Sequence, residues 1–292
     1  MEAMAGLLIF VSTITHMAES LFIKRYNTKH GGGGFIFTSM VSFFSMLFFL
    51  ISDQNSFVVP IELWLYAIAA GVLYCAASLL TYVALQIGSY AMTMLILSYS
   101  ILMSIGYGLI FLKEQITVFI VIGLLLMMVS LYLVRAKKSD SKKEEHGFSL
   151  KWLICVSVAA VGSGLFGVVQ RMQQIRFENA CTNEFMVIAL SFSAVVLMTV
   201  GLCGKDRKDF VSVMRHGTLW AAGAGLSNGL TNASVVFLHL LMPISLSSPI
   251  RVGLKIVLSF MLSVFILKES FQKRQVYGVA LGTLALILLN IK

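Results

Sequence analysis

The segment FLKEQITVFIVIG (residues 111–123) recurs 155 positions later as ILKESFQKRQVYG (residues 266–278), and both copies carry Leu-Lys-Glu near the start and glycine at the end. A repeat at a fixed offset indicates that one structural unit occurs twice. Each copy follows one apolar run and leads into another, so we expect it at a turn between two helices. A lysine where one helix ends and a glutamate where the next begins suit the two helix dipoles.

The chain around these copies is strongly apolar. Of its 292 residues, 58% are hydrophobic and 12% are charged, and the mean hydropathy is +0.90. Apolar runs of about 20 residues, enough to cross a bilayer, recur along its whole length. Because lipid offers the backbone no hydrogen-bond partners, we expect these runs to be helices. The predicted spans are roughly 4–24, 35–52, 61–85, 90–112, 116–134, 150–171, 184–203, 217–240, 243–267 and 273–290.

The predicted fold is therefore an all-α integral membrane protein with ten transmembrane helices. A polar linker, RAKKSDSKKEEHG, divides them into two sets of five. We predict a first five-helix repeat at 1–134, a linker at 135–149 and a second repeat at 150–292. Because five is odd, the second repeat enters the membrane from the opposite side, so the repeats are inverted. Inverted repeats are typical of secondary transporters, which bind substrate near the membrane midplane.

The chain has a net charge of +9, and the positions of its basic residues predict its orientation in the membrane. We call the side that holds both termini side A, and the opposite side, where helices 1, 3, 5, 7 and 9 end, side B. Sixteen of the 22 lysines and arginines fall at side B and four at side A. The positive-inside rule then predicts a cytoplasmic side B, a cytoplasmic linker and both termini outside. No nucleic-acid partner is needed to explain the charge.

The two five-helix halves, with Leu112-Lys113-Glu114 and Leu267-Lys268-Glu269 between the fourth and fifth helix of each, resemble the EamA-type transporters of the drug/metabolite transporter superfamily. The resemblance implies a central cavity lined mainly by helices other than the fifth of each half. It implies little about substrate, since relatives carry amino acids, drugs, sugar phosphates and nucleotide sugars. Some relatives keep their termini in the cytosol, unlike the orientation predicted here.

Two cations interrupt the ninth predicted span, in SPIRVGLKIVLSF (residues 248–260). At about 1.5 Å per residue, Arg251 lies about 12 Å and Lys255 about 18 Å from side A, and Glu19 lies at a similar depth, about 22 Å. Ionisable groups at such depth face a partner or a wet cavity. Either Glu19 neutralises one cation permanently, or both cations bind an anionic substrate group, helped by Pro249 and Gly253, which would loosen the helix. By analogy, basic residues on the ninth helix of the resembling carriers serve anionic substrates.

Other polar residues within the spans are further candidates. His16 and Glu19 share one face of the first helix and could couple transport to protons, as a glutamate on helix 1 does in small multidrug transporters of the superfamily; His16 could equally bond to a neighbouring carbonyl or hydroxyl. Asn228 and Asn232 could bind substrate or join helices. Tyr99 suits a cavity wall or plain packing.

These residues favour a secondary transporter, most simply an exporter, of a small anionic or zwitterionic metabolite such as an amino acid, working by alternating access. Proton-coupled efflux of cationic drugs is the alternative within the class, and a membrane sensor or scaffold is the alternative outside it. No catalytic constellation, metal motif or nucleotide-binding loop is recognisable, so we expect neither an enzyme nor a cofactor. The expected partners are a small-molecule substrate and the lipid of the cell membrane, and the protein is expected as a monomer or homodimer.

Overall fold

The computed structural model describes residues 2–52, 59–100, 102–103, 106–107, 118–134, 149–178, 180–241, 244–269 and 273–288. The helices in these ranges are α1 (Glu2–Lys29), α2 (Gly34–Ser52), α3 (Ile61–Ile87), α4 (Tyr90–Ser98), α5 (Val118–Val134), α6 (Leu150–Arg176), α7 (Thr182–Cys203), α8 (Thr218–Leu241), α9 (Ile244–Phe265) and α10 (Lys273–Leu288). Three short helical turns, Lys205–Asp209, Phe210–Ser212 and Val213–Gly217, lead into α8. The first repeat copy up to residue 117 and the linker 135–148 lie outside the described residues.

The regular structure of the described ranges is entirely helical, which confirms the all-α class. Five helices, α1, α2, α3, α6 and α7, are long and apolar enough to cross a membrane. Shorter apolar stretches lie in α5 (Val121–Ser130) and α9 (Leu254–Phe265). Large apolar side chains such as Leu7, Leu65 and Leu219 point away from the protein, as suits helices solvated by lipid. The protein is thus a multi-pass membrane protein, and crossing by all ten helices stays a prediction.

Several helix contacts come in related pairs: when five is added to or subtracted from each helix number of one contact, the result is another contact. α1 packs on α8 and α6 packs on α3; α2 packs on α8 and α7 packs on α3; α1 packs on α9 and α6 packs on α4. The pairs α2–α7, α4–α9 and α5–α10 map onto themselves. Most of these contacts join the first half of the chain to the second, so the core lies between the halves.

Serines at intervals of three bind α2 to its neighbours. The Ser39 hydroxyl donates to the Ala194 carbonyl of α7 (2.6 Å), Ser42 and Ser193 share a hydrogen bond of 3.3 Å, and Ser45 donates to α8 at Asn228 (2.8 Å). All three α2 serines are buried. Residues three apart share a helix face, so this polar row lies along the side of α2 that meets the second half.

The contacts between helix ends gather one set of ends at side B. The Phe35 backbone N–H, at the start of α2, donates to the Asp206 carboxylate after α7 (2.9 Å). The rings of His30, after α1, and His216, before α8, stack with centroids 5.2 Å apart. Between α1 and α2 the chain turns through left-handed glycines, and a Cβ on Gly33 would lie 2.3 Å from the Val213 side chain.

Candidate functional site

The site is centred on the carboxylate of Glu19 in the interior of α1. Its Oε1 accepts a hydrogen bond from Asn228 Nδ2 on α8 (3.0 Å). Its Oε2 lies 3.7 Å from Nδ1 of His16, one turn earlier on the same helix. This second oxygen is buried and accepts no hydrogen bond from the described residues. Because a buried carboxylate oxygen without a donor is costly, Oε2 is able to accept a hydrogen bond from a further group.

A chain of hydrogen bonds fixes how Asn228 faces Glu19. Asn228 Oδ1 accepts from the buried Ser45 hydroxyl of α2 (2.8 Å) and from Asn232 Nδ2 (3.2 Å). Asn232 Nδ2 also donates to the Asn228 carbonyl, at 3.0 Å. Because Ser45 and Asn232 both donate to the Asn228 oxygen, the Asn228 amide nitrogen is free to donate to the Glu19 carboxylate, which can only accept. Three helices, α1, α2 and α8, thereby hold the Glu19 carboxylate in place.

The two cations of α9 lie close enough to act on this cluster. Lys255 interacts electrostatically with Glu19 and with His16, and Arg251 interacts with His16 and with Lys255. Both cationic side chains are half-buried. Within the described ranges, no ion pair of 4.0 Å or less joins Glu19 to either of them. α9 is helical through Pro249 and Gly253, so the expected loosening there is not seen as a break.

Tyr99 lies in a different environment. It caps the end of α4, and its hydroxyl shares a hydrogen bond of 2.9 Å with Ser130 on α5, whose hydroxyl in turn donates to the Gly278 carbonyl of α10 (2.7 Å). Its ring packs in an apolar cluster that includes Ile256. These contacts account for Tyr99 as a residue that packs between α4, α5 and α10. Its role in a cavity wall stays a prediction.

The structure therefore brings together six of the seven residues singled out from the sequence: His16, Glu19, Asn228, Asn232, Arg251 and Lys255. It adds Ser45 on α2 and Tyr74 on α3, which interacts electrostatically with Glu19. The spacing of the three α2 serines was the available signal for Ser45. For Tyr74 no signal existed, because an aromatic residue in an apolar span looks like any other packing residue.

The cluster places polar and charged groups of both halves near one another. Arg251 and Lys255 can bind a carboxylate or phosphate, the asparagine amides can bind hydroxyl, amino or carboxylate groups, and Glu19 Oε2 can accept from a donor or cation. Among the described residues, no three His, Cys, Asp or Glu side chains form a group able to hold a metal ion.

Comparison with known proteins finds a likeness between the first half of the chain and one protein family. Residues 3–136 match the model of the EamA-like transporter family. Solved structures match too, 26 chains in all; one, titled only "Crystal structure of protein", aligns over 97% of this chain and 95% of its own with a TM-score of 0.55 and 15% identity. At that identity the likeness shows a shared fold alone. The comparison with curated proteins found no match.

Proposed function

We propose, from the match of residues 3–136 to the EamA-like transporter family of the drug/metabolite transporter superfamily, that the whole chain is a secondary transporter of a small anionic or zwitterionic metabolite, such as an amino acid. Arg251 and Lys255 bind its anionic group, and Asn228 and Asn232 bind its polar groups. Tyr99 lines the wall of the cavity, and Glu19 with His16 carries the coupling proton. The proposed direction is export.

One observation carries the substrate class: the cluster holds two cations and one carboxylate, and the carboxylate pairs directly with neither cation in the described structure. Arg251 and Lys255 are half-buried and form no ion pair with an acidic residue of the described ranges. Such cations attract an anionic group strongly, because less water surrounds them than at the surface. The surplus positive charge therefore supports a substrate with a carboxylate or phosphate.

The transport mechanism we propose is alternating access by two inverted repeats, 1–134 and 150–292, of five spans each. The related pairs of helix contacts support it, since α1–α8 and α6–α3 are related as an internal two-fold axis would relate them. The binding cluster takes residues from α1 and α2 on one side and from α8 and α9 on the other. Rocking of one half against the other would expose such a site to each side in turn.

We propose the cell membrane as the location, with the linker 135–149 in the cytoplasm and both termini outside. The excess of basic residues at side B supports this orientation.

Thermal unfolding of the purified protein tests the substrate class. We expect an amino acid or a phosphorylated metabolite to raise the unfolding temperature of the wild type, because a ligand that binds only the folded state stabilises it. Arg251→Ala and Lys255→Ala should lose the shift while staying folded. Lys151→Ala, which removes an exposed lysine outside the cluster, is the matched control and should keep it. A shift that survives in both cluster variants would contradict the proposed anchor.

A second candidate, efflux of cationic drugs, is favoured by one specific observation: the buried Oε2 of Glu19 has no hydrogen-bond donor among the described residues. A drug cation would pair with this oxygen. In this case cationic dyes stabilise the protein, Glu19→Gln abolishes the effect, and Arg251→Ala leaves it intact. Absence of stabilisation or flux with every class of compound would point to a sensor or scaffold.

A further inference from the structure

A buried lysine near the side B end of α1 binds the turn between α3 and α4. Lys24 is 3% exposed, and its Nζ donates to the carbonyls of Leu85 (2.9 Å) and Gly88 (2.6 Å). These carbonyls close the last turn of α3, where the negative end of the helix dipole attracts a cation. Nζ also lies 3.8 Å from Oε1 of Glu269, which belongs to the second half of the chain.

Glu269 binds the same turn from the other direction. Both of its carboxylate oxygens accept from the backbone N–H of Tyr90, the first residue of α4, at 3.0 Å. A carboxylate at a helix N-terminus is favoured by the helix dipole. Within its own half, Glu269 accepts a short hydrogen bond from the Ser263 hydroxyl, and its backbone N–H donates to the Ser263 carbonyl (3.1 Å).

Lys24 and Glu269 each make further hydrogen bonds within their own half of the chain. If the end of α9 moved away, Lys24 would keep its two carbonyl acceptors, which belong to the first half. Glu269 would keep Ser263, which belongs to the second. Of the polar contacts that Lys24 and Glu269 make, the ion pair and the bonds to Tyr90 N–H would break, and each charge would keep a hydrogen bond within its own half. Such a contact can part and re-form, whereas a buried ion pair with no fallback partners would be prohibitively costly to open.

The position of the pair suits control of access from side B. Lys24 lies five residues beyond Glu19, about 7.5 Å further along α1, and joins α1, the α3–α4 turn and the end of α9. The ion pair between the halves at side A, Arg176–Glu62 (3.3 Å), is mostly solvent-exposed, and exposed pairs contribute little. Of these two ion pairs between the halves, the buried one therefore lies at side B and the exposed one at side A.

We propose that Lys24 and Glu269 form a gate that closes the binding cluster from side B and opens when the end of α9 separates from α1 and the α3–α4 turn. The inference rests on the proposed function as an alternating-access carrier, and it assigns to Glu269 a role beyond that of a turn residue.

The distance between the two helix ends tests the gate without any substrate. Spin labels on Thr28→Cys and Ile266→Cys, both exposed, report the separation of α1 and α9 in a background whose four native cysteines are replaced by serine. We expect one short distance in the labelled parent. Glu269→Gln removes the charge, and Lys24→Met removes its partner while filling the buried space. Each should raise the population of a longer distance by about tenfold.

Glu62→Gln is the matched control, since it breaks the exposed ion pair between the halves at side A. Its distance distribution should stay that of the parent. Unchanged distances in both folded gate variants would overturn the gate, and so would an equal change in the control. If the distances change but no compound binds or crosses the membrane, the gate stands and the transport function fails. If ligands bind and the distances stay fixed, only the gate fails.

Discussion

At the scale of single residues, the orientation of one amide decides what Glu19 can bind. Asn228 donates to Oε1 because its own oxygen is occupied by Ser45 and Asn232. This leaves Oε2 facing His16 and within the electrostatic influence of Lys255. Ser45 therefore acts on the site through Asn228, as a positioning residue that touches no substrate.

We predict that Ser45→Ala weakens ligand binding about threefold and lowers stability by about 0.6 kcal/mol, the average for a hydrogen bond between membrane helices. Losing the hydroxyl frees Asn228 to rotate, so Glu19 is held less firmly. Calorimetric titration with the ligand found in the thermal screen measures the first effect, and thermal unfolding the second.

Ser98→Ala is the matched control for this prediction. Ser98 is also buried, but its hydroxyl donates to the Met94 carbonyl of its own helix (2.8 Å). We expect its ligand affinity to equal that of the wild type. An unchanged affinity in Ser45→Ala would remove Ser45 from the site and leave it a purely structural link between α2 and α8.

At the scale of elements, close approach of α2 and α8 depends on glycine. A Cβ on Gly225 would lie 2.5 Å from the Val41 carbonyl oxygen, and one on Gly229 would lie 2.6 Å from the Phe48 ring. The GxxxG spacing of this pair indicated such packing from the sequence. The partner helix was not predictable, because the pattern says that a helix approaches closely and not which one.

We predict that Gly225→Ala destabilises the protein by about 1–3 kcal/mol, as expected when an added methyl group meets backbone that must move. Because the same contact carries the Ser45–Asn228 bond, ligand binding should weaken too. Gly167→Ala on α6 is the control, since nothing lies within 4 Å of its Cβ position. Thermal unfolding of the two variants should differ clearly; equal stability would mean that α2 and α8 can separate without loss.

At the scale of the whole molecule, the sequence predicted the helices better than their assembly. Apolar runs delimit the helices because lipid demands continuous hydrophobic surface. The predicted span 4–24 is shorter than α1, which begins at Glu2 and continues past Lys24 to Lys29. The depth of Glu19 and Lys255 predicted their proximity. By contrast, the sequence shows Lys24 only as one of the sixteen basic residues at side B, and the fold is needed to show that it binds the turn between α3 and α4.

The same scale carries the prediction of topology. If the two halves are inverted repeats, the connection after the first helix of one half lies on the opposite side of the membrane from the connection after the first helix of the other half. Side B then carries the connection between α1 and α2 of the first half and the one between α7 and α8 of the second. Single cysteines at Thr28 and Ser212 probe side B, and single cysteines at Ile61 and Ala180 probe side A; all four positions are exposed. In intact cells, a membrane-impermeant maleimide should label only the side A pair, and in inverted vesicles only the side B pair.

The possible outcomes separate the repeat from its orientation. If Thr28 and Ser212 react from different sides, an odd number of spans separates them instead of the six predicted, and the arrangement of two inverted five-span repeats is wrong. If all four positions react from the sides opposite to those expected, the inverted repeat stands but the charge rule has misplaced the cytoplasm. The basic residues favour the predicted result, because sixteen of 22 lie at side B and positively charged segments resist translocation across the membrane. A cytoplasmic side B would also place the Lys24–Glu269 contact at the inner face, where an exporter must open to receive its substrate.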